Sequence, residues 1–468
     1  MAAYLLFEVM VMLLSRLNDV VWSPWLLGLF LAAGLYYSLR TGFFQLFRIP
    51  LWLRTTFGAM LRRRGRGNGR GISQFQALAT ALASTIGTGS IAGVATAIWF
   101  GGPGAVFWMW VSALLGMMTG CAEKLLSVRY RRAGPAGWLG GPMYYIRDGL
   151  KSPLLAGWFA LACLPATLTG GDMVQSSSIA AALQATFGWD RLAVGAAVAV
   201  LTGLVMVGGI GRIARVSSGL VPAMALLYLG GGAAVLAARA DQIPEAMALI
   251  FCSALRPEAA VGGGMGYTLA AALRYGVARG VFTNEAGLGT SAMAHAAAEV
   301  DCPARQGMWG IVEVCVSTLL VCTATALVIL VSGVYGPADA LVRGALGAVP
   351  PDRLGAPLTA AAFSSVLGPW GGAVVSLSLL LFAFSSILGW SWYGEQSILY
   401  LTGSRRLVPA YRLVFLSCVV LGSVWEGEAV WELVDLCNAL MAIPNLTALL
   451  LLSPQVLREL RDWERTGG

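Results

Sequence analysis

Long apolar runs recur along this chain near residues 23–39, 73–99, 104–129, 155–186, 190–208, 217–238, 265–297, 306–333, 370–402, 407–425 and 430–452. Each is close to the ~20 residues that a helix needs to cross a bilayer. In lipid the backbone must satisfy its own hydrogen bonds, and helices are the structure that does so segment by segment. Only 12% of the residues are charged, about half the usual share for soluble domains. The runs use up nearly the whole length, so no soluble catalytic domain fits beside them. The expectation is an all-α integral membrane protein of about eleven transmembrane helices.

Basic residues orient the runs, because Lys and Arg collect on the cytoplasmic side. With the N-terminus outside, most of the 31 Lys and Arg fall on inner segments. They gather at 40–72, 129–151, 212–215, 405–412 and the C-terminal tail. An outside N-terminus and a cytoplasmic C-terminus require an odd number of spans, in an inner (plasma) membrane. Residues 3–18 are apolar but carry Glu8 and Arg16, which suits an interfacial helix. No basic leader with a small-residue cleavage site precedes the first apolar stretch, so that stretch is expected to stay. The arginines of 62–70, interleaved with glycine, read as an inner loop touching anionic lipid rather than as a nucleic-acid site. Segments 240–258 and 336–360 read as outer connections with partial helices.

Enzyme chemistry finds little support. The eight cysteines are scattered without a C-x-x-C pair and read as small buried hydrophobes. There is one histidine, His295, too few for most zinc or triad arrangements. No P-loop and no G-x-S-x-G motif is present. No cofactor is expected.

Two runs carry residues that break helices. The second holds Ser84, Thr85, Gly87, Thr88, Gly89 and Ser90 in its middle. Two glycines among hydroxyls allow local unwinding, which membranes tolerate only where protein or a cavity satisfies the freed backbone. Freed N–H groups can then meet a carboxylate and freed carbonyls a cation. The alternative is a small-residue packing face. Five runs later, Phe282–Gly289 places Asn284 and Glu285 between Phe282 and Gly287. Paired interrupted helices point to a transporter binding site. Five is odd, so the second block of five must insert upside down. That predicts an inverted repeat, 73–238 against 265–452, with an interfacial segment at 1–22, one extra helix at 23–39, a basic loop at 40–72, an outer connection at 239–264 and a tail at 453–468.

These motifs also resemble a known family. Gly87-Thr-Gly-Ser-Ile-Ala-Gly-Val-Ala-Thr-Ala-Ile98 and Gly101-Gly-Pro-Gly-Ala-Val-Phe-Trp-Met-Trp110 are similar to the signature of the alanine or glycine:cation symporters. Gly141–Ile146, Phe282–Gly289, Val321–Ala326, Phe382–Ser391 and Pro444–Leu446 follow in the family's order. The resemblance implies a leucine-transporter type of fold, a five-plus-five inverted repeat preceded by one helix. It implies sodium-driven uptake of alanine or glycine by alternating access, sodium being a co-transported ligand.

The resemblance places substrate contacts on Thr85, Gly87, Thr88 and Gly89, and on Phe282, Thr283, Asn284 and Gly287. It places cation-binding carbonyls on Ala83, Ile86 and Ala383, with the hydroxyls of Ser385 and Ser386 as partners. Oxygen donors suit a hard cation, although a helix serine can also bond back to its own carbonyls. Trp390, four residues after Ser386, would cap the side-chain pocket, or else serve in packing or a membrane belt. Gln175 joins the substrate set. Aromatic walls would exclude bulk, whereas Ala against Gly is worth only ~1–3 kcal/mol.

Intramembrane ionisable residues are functional suspects. Asp172 stands where the family usually has Asn, as do Ser90 and Ser177, and Ser317 stands where Asp is usual. Asp172 is thus a candidate coupling residue for protons, with Asp172 and Ser317 facing water near span ends as the bland alternative. Glu123 and Lys124 would pair with each other. Arg274 and Arg279 would partner Glu285 or sit in an inner vestibule, and His295 reads as an ordinary helix residue. A sensor or channel built on the same fold is a further alternative, and the oligomeric state is left open.

Overall fold

The computed structural model describes residues 2–58, 71–134, 137–255, 269–335, 355–425 and 428–466. Every apolar run is a helix or a pair of helices. In chain order they are α1 (Ala2–Val21), α2 (Pro24–Arg40), α3 (Gln74–Thr85), α4 (Ala92–Gly101), α5 (Gly104–Arg129), α6 (Pro142–Gly149), α7 (Pro153–Phe187), α8 (Arg191–Met206) and α9 (Gly209–Ala238). There follow α10 (Ile243–Leu255), α11 (Leu269–Asn284), α12 (Ala292–Ala296), α13 (Pro303–Val331), α14 (Ala356–Leu367), α15 (Pro369–Thr402), α16 (Val408–Val424), α17 (Glu428–Leu451) and α18 (Ser453–Arg465). Among the described residues, seven helices are individually long and apolar enough to span a membrane, and an eighth counts if α1 and α2, bent by 43°, are one span.

The helices pack in a bundle whose core runs between the two broken pairs, α3–α4 and α11–α12. Helix α5 lies against α11, α13 and α2, α3 lies between α9 and α15, and α7 packs on α15 and α17. Outward-facing leucines and valines such as Leu154, Leu161, Val200, Leu204, Leu226 and Leu413 are exposed. That belt suits lipid, because soluble surfaces rarely keep so much contiguous apolar area. Inside, Trp99, Trp309, Tyr145 and Tyr393 are wholly buried.

The breaks follow from backbone chemistry. Helix α3 starts on a Ser73–Gln76 capping box and ends at Thr85, before the turn Thr88–Ser90. Helix α11 ends at Asn284, and Glu285 (φ 54°), Gly287 (φ 97°) and Gly289 (φ 80°) then take left-handed backbone conformations. A Cβ on Gly287 would stand 2.5 Å from Phe30, and one on Gly289 2.4 Å from Pro142. Both positions therefore need glycine for conformation and for space.

Several expected boundaries shift. Helix α9 begins at Gly209, before the predicted 217, and Arg212 in its first turn donates to the Leu204 carbonyl at 2.6 Å. The basic loop is partly folded: Phe44–Phe47 and Ile49–Leu53 are helical, with Phe44 and Trp52 buried. Its arginines at 62–70 lie outside the described residues, as do 256–268 and 336–354. The tail 453–468 contains α18, whose Val456, Leu457, Leu460 and Trp463 are buried, with Arg129 paired to Glu459. A short hairpin, β1 (Arg132–Gly134) and β2 (Gly137–Leu139), links α5 to α6.

Candidate functional site

The break in α3–α4 faces a cavity of about 370 Å³ of atom-free space, lined by Ser84, Thr85, Gly87, Gly89, Gly170, Gln175, Phe282, Glu285, Leu288, Trp390, Val434 and Asn438. Six of the residues expected at the substrate are therefore gathered around it: Thr85, Gly87, Gly89, Gln175, Phe282 and Trp390. Thr88 joins indirectly, because its N–H donates to Gln175 Oε1 at 3.3 Å. Gln175 is itself fixed by donating from Nε2 to the Gly170 carbonyl at 3.0 Å.

Close backbone approach makes this geometry. A Cβ on Gly87 would lie 3.1 Å from Gln175 Oε1 and 3.2 Å from Ser386 Oγ, and one on Gly89 would lie 3.1 Å from Phe282. Gly171 lets Trp390 into the cavity wall, since a Cβ there would stand 2.4 Å from the tryptophan. The indole rests edge-on against Tyr393, with centroids 5.6 Å apart, and the Tyr393 hydroxyl meets Ser84 Oγ at 2.7 Å.

The expected cation residues meet in part. Ser385 Oγ donates toward the Ala83 carbonyl at 3.2 Å and toward its own helix at the Phe382 carbonyl at 2.9 Å. Ser386 Oγ donates to the Ser84 carbonyl at 3.0 Å. Two hydroxyls thus meet two carbonyls of the facing element, with Ser386 Oγ beside Gly87 and Met224 Sδ 3.5 Å from Ser385 Oγ; the oxygens suit a hard monovalent cation. Ile86 and Ala383 are buried on the same elements, but neither carbonyl is hydrogen-bonded to these hydroxyls.

The second break is arranged differently from expectation. Of its four expected contact residues only Phe282 lines the cavity. Thr283 Oγ1 donates to the Arg279 carbonyl at 2.7 Å. Asn284 Oδ1 accepts from Ala286 N–H at 3.0 Å. Gly287 N–H donates to Glu123 Oε1 at 2.9 Å, and its carbonyl accepts from Asn445 at 2.8 Å. These N–H groups are spent on protein partners, so Asn284 and Gly287 hold the break's shape rather than line the cavity.

Behind Gly287 lies a wholly buried polar network. Lys124 Nζ sits 3.4 Å from Glu123 and 3.3 Å from Glu313. His295 Nε2 is 3.1 Å from Glu313 and its Nδ1 is 2.6 Å from Gln306, so His295 is a network member and not an ordinary helix residue. Glu285 accepts from Thr290 across the break and pairs with neither Arg274 nor Arg279. Those arginines lie on the N-terminal side of the break, beside α1 and the start of α17. Arg274 pairs with Asp19 at 3.1 Å.

Asp172 lies in a π-helical segment, Thr169–Met173, which begins four residues beyond Pro165. It is fully buried, and neither carboxylate oxygen has a hydrogen-bond partner. Its electrostatic neighbours are Tyr411 and Cys418 on α16, whereas Gly170 of the same segment lines the cavity. Ser317 is fully buried in the π segment Cys315–Cys322. A position in water near a span end is thereby overturned for both. Ser90 is buried near α13, where Thr325 donates to its carbonyl at 2.8 Å, and Ser177 is reached by Arg191 at 3.4 Å.

Sequence reasoning missed Val434, Asn438, Leu288, Glu285, Gly170 and Ser84 as cavity walls. Asn438 carried a signal, being a buried amide in an otherwise apolar run. Val434 and Leu288 carried none.

Comparison with known proteins gives a consistent picture. Residues 7–467 match the family model described as the sodium:alanine symporter family. The sodium/alanine symporter AgcS of Methanococcus maripaludis is 41% identical over 456 residues, 96% of each chain. An uncharacterized transporter of Haemophilus influenzae is 41% identical over 454 residues, 96% of this chain and 95% of that one. Among solved structures, a mutant of the Eremococcus coleocola manganese transporter superposes with a TM-score of 0.50 at 19% identity, covering 81% of this chain and 79% of that one. This last likeness concerns the fold alone.

Proposed function

Because this chain belongs to the sodium:alanine symporter family, a family of multi-pass membrane transporters, we propose that it couples downhill sodium entry to uptake of a small neutral amino acid, alanine or glycine. The observation that carries this reading is the meeting of Ser385 and Ser386 with the carbonyls of Ala83 and Ser84 at the edge of the Trp390 cavity. A cation there ties the break in α3–α4 to α15, and in doing so shapes the cavity wall that the amino acid touches. Binding of one ligand then favours the other, which is the reciprocity that symport requires. The Trp390 and Phe282 rings in the cavity wall favour small side chains over bulky ones. The five-plus-five inverted repeat, the inner membrane, and an outside N-terminus with a cytoplasmic C-terminus belong to the same proposal, as does alternating access about the two breaks.

Uptake of labelled alanine and glycine into proteoliposomes, with and without an inward sodium gradient at fixed pH, tests it. Accumulation that requires sodium supports the reading, and uptake indifferent to sodium removes it.

A second reading rests on Asp172. A buried carboxylate with no hydrogen-bond partner needs a cation or a proton as company, and it belongs to the same turn as cavity-lining Gly170. Uptake driven by a pH gradient without sodium would favour that reading, with counterflow of labelled alanine separating a carrier from a sensor.

A further inference from the structure

A second cavity lies next to the first, with Phe282 in the wall of both. It holds about 650 Å³ of atom-free space and is lined by α1, α11 and the start of α17. Five charged side chains face it: Asp19, Arg274, Arg279, Glu432 and Asp435. Three of them are engaged. Arg274 pairs with Asp19 at 3.1 Å, and Glu432 accepts from Asn18 at 2.5 Å. Arg279 and Asp435 remain. Among the described residues neither makes an ion pair, and the Asp435 carboxylate accepts no hydrogen bond, although its own backbone carbonyl takes the Trp22 indole at 2.8 Å. The Arg279 guanidinium instead lies over the rings of Phe282 (5.7 Å) and Trp431 (5.9 Å). Those two rings are 6.2 Å apart, and Phe282 forms the wall shared with the central cavity.

A cation and an anion that line one cavity and are not joined to each other match the two charged ends of a zwitterion. We propose that Arg279 and Asp435 form a second amino-acid site, the guanidinium taking the substrate carboxylate and the aspartate its ammonium group, above the Phe282–Trp431 pair. Charge-assisted bonds of this kind are strong and directional, and the cation–π seat of Arg279 holds its fork in place without consuming its donors. The site recognises the part common to all neutral amino acids. It concentrates them at the mouth, while the Trp390 cavity beyond Phe282 selects by side-chain size. The inference rests on the transport reading above and adds a place where the substrate waits.

The test counts sites. Purified full-length protein in sodium is titrated with labelled alanine, and initial uptake rates are measured in proteoliposomes. Two alanines per chain are expected for the unaltered protein and one for D435N or R279Q. In either variant KM rises about tenfold, the loss of one charge-assisted contact, while Vmax changes far less. D435E and R279K restore much of the affinity. One alanine per chain in the unaltered protein, with sodium-dependent uptake intact, overturns the second site and leaves the transport reading standing. Loss of both sites together in D435N and R279Q means that the pair holds the fold and not a ligand, which also overturns it. No alanine bound and no uptake overturns both readings at once.

Discussion

Ser386 Oγ lies 3.0 Å from the carbonyl oxygen of Ser84, joining α15 to the last turn of α3 where that helix stops. The carbonyl is available because the chain turns out of helical geometry at Ile86 and Gly87. A cation set between these groups would replace a single hydrogen bond with several ion–oxygen contacts. Ser386→Ala removes one of them, so the sodium concentration for half-maximal uptake should rise about tenfold, the equivalent of ~1.4 kcal/mol. Ser385→Ala should act in the same direction through the Ala83 carbonyl. Sodium-activation curves of uptake check both, and unchanged curves would remove these serines from the cation site.

Selectivity should depend on Trp390. The indole is admitted to the cavity wall by Gly171, where a Cβ would stand 2.4 Å from the tryptophan. Trp390→Ala opens space in which leucine-sized substrates gain contacts worth roughly 1–3 kcal/mol per methylene. Leucine should then compete with labelled alanine for uptake more strongly than it does in the unaltered protein. Gly171→Ala should do the opposite by driving the ring into the cavity, with alanine uptake lost while the protein still purifies as a monodisperse species.

The sequence made the helices and the first break legible for a simple reason. Apolar length and glycine next to hydroxyls are local properties, and lipid leaves the backbone few other choices. The second break was legible as a break but not in its details. Gly287 looks like a ligand-facing glycine in Phe282–Gly289, yet its N–H goes to Glu123, a residue 164 positions earlier. Asp172 faces α16 while Gly170 faces the cavity, because the π-helical turn changes the register of side chains within a few residues. Such a turn has no firm local signature beyond Pro165 and two glycines. Val434 and Asn438 enter the cavity wall through the way α17 packs on α7, a long-range relation that spacing along one helix does not reveal.

Stability should depend on Lys124. Its ammonium lies between Glu123 and Glu313, and all three side chains are fully buried. Lys124→Met would leave two carboxylates facing each other without their cation, and breaking a buried pair in this way costs about 3–5 kcal/mol. The thermal midpoint in detergent should fall clearly. Replacing Lys124 and Glu313 together, by Met and Gln, should recover part of the loss, because the double change removes a charge of each sign. A double-mutant cycle on these positions gives the coupling directly.

The two readings of coupling diverge at Asp172. If sodium alone drives uptake, the carboxylate takes no part in coupling, and Asp172→Asn replaces it with a neutral amide of nearly the same shape. Sodium-driven alanine uptake should then persist within about threefold of the unaltered rate, less than the tenfold that 1.4 kcal/mol represents. If the carboxylate exchanges a proton with each cycle, the same substitution abolishes uptake driven by a pH gradient while counterflow, which needs no net proton movement, continues. The environment favours the first outcome. Asp172 is wholly buried and its electrostatic neighbours are on α16, whereas the cavity is reached through Gly170 and Gln175 of the same helix. A proton path would need α16 to move away from the π turn. Uptake by the Asp172→Asn variant, measured under a sodium gradient and under a pH gradient separately, distinguishes the two in one experiment.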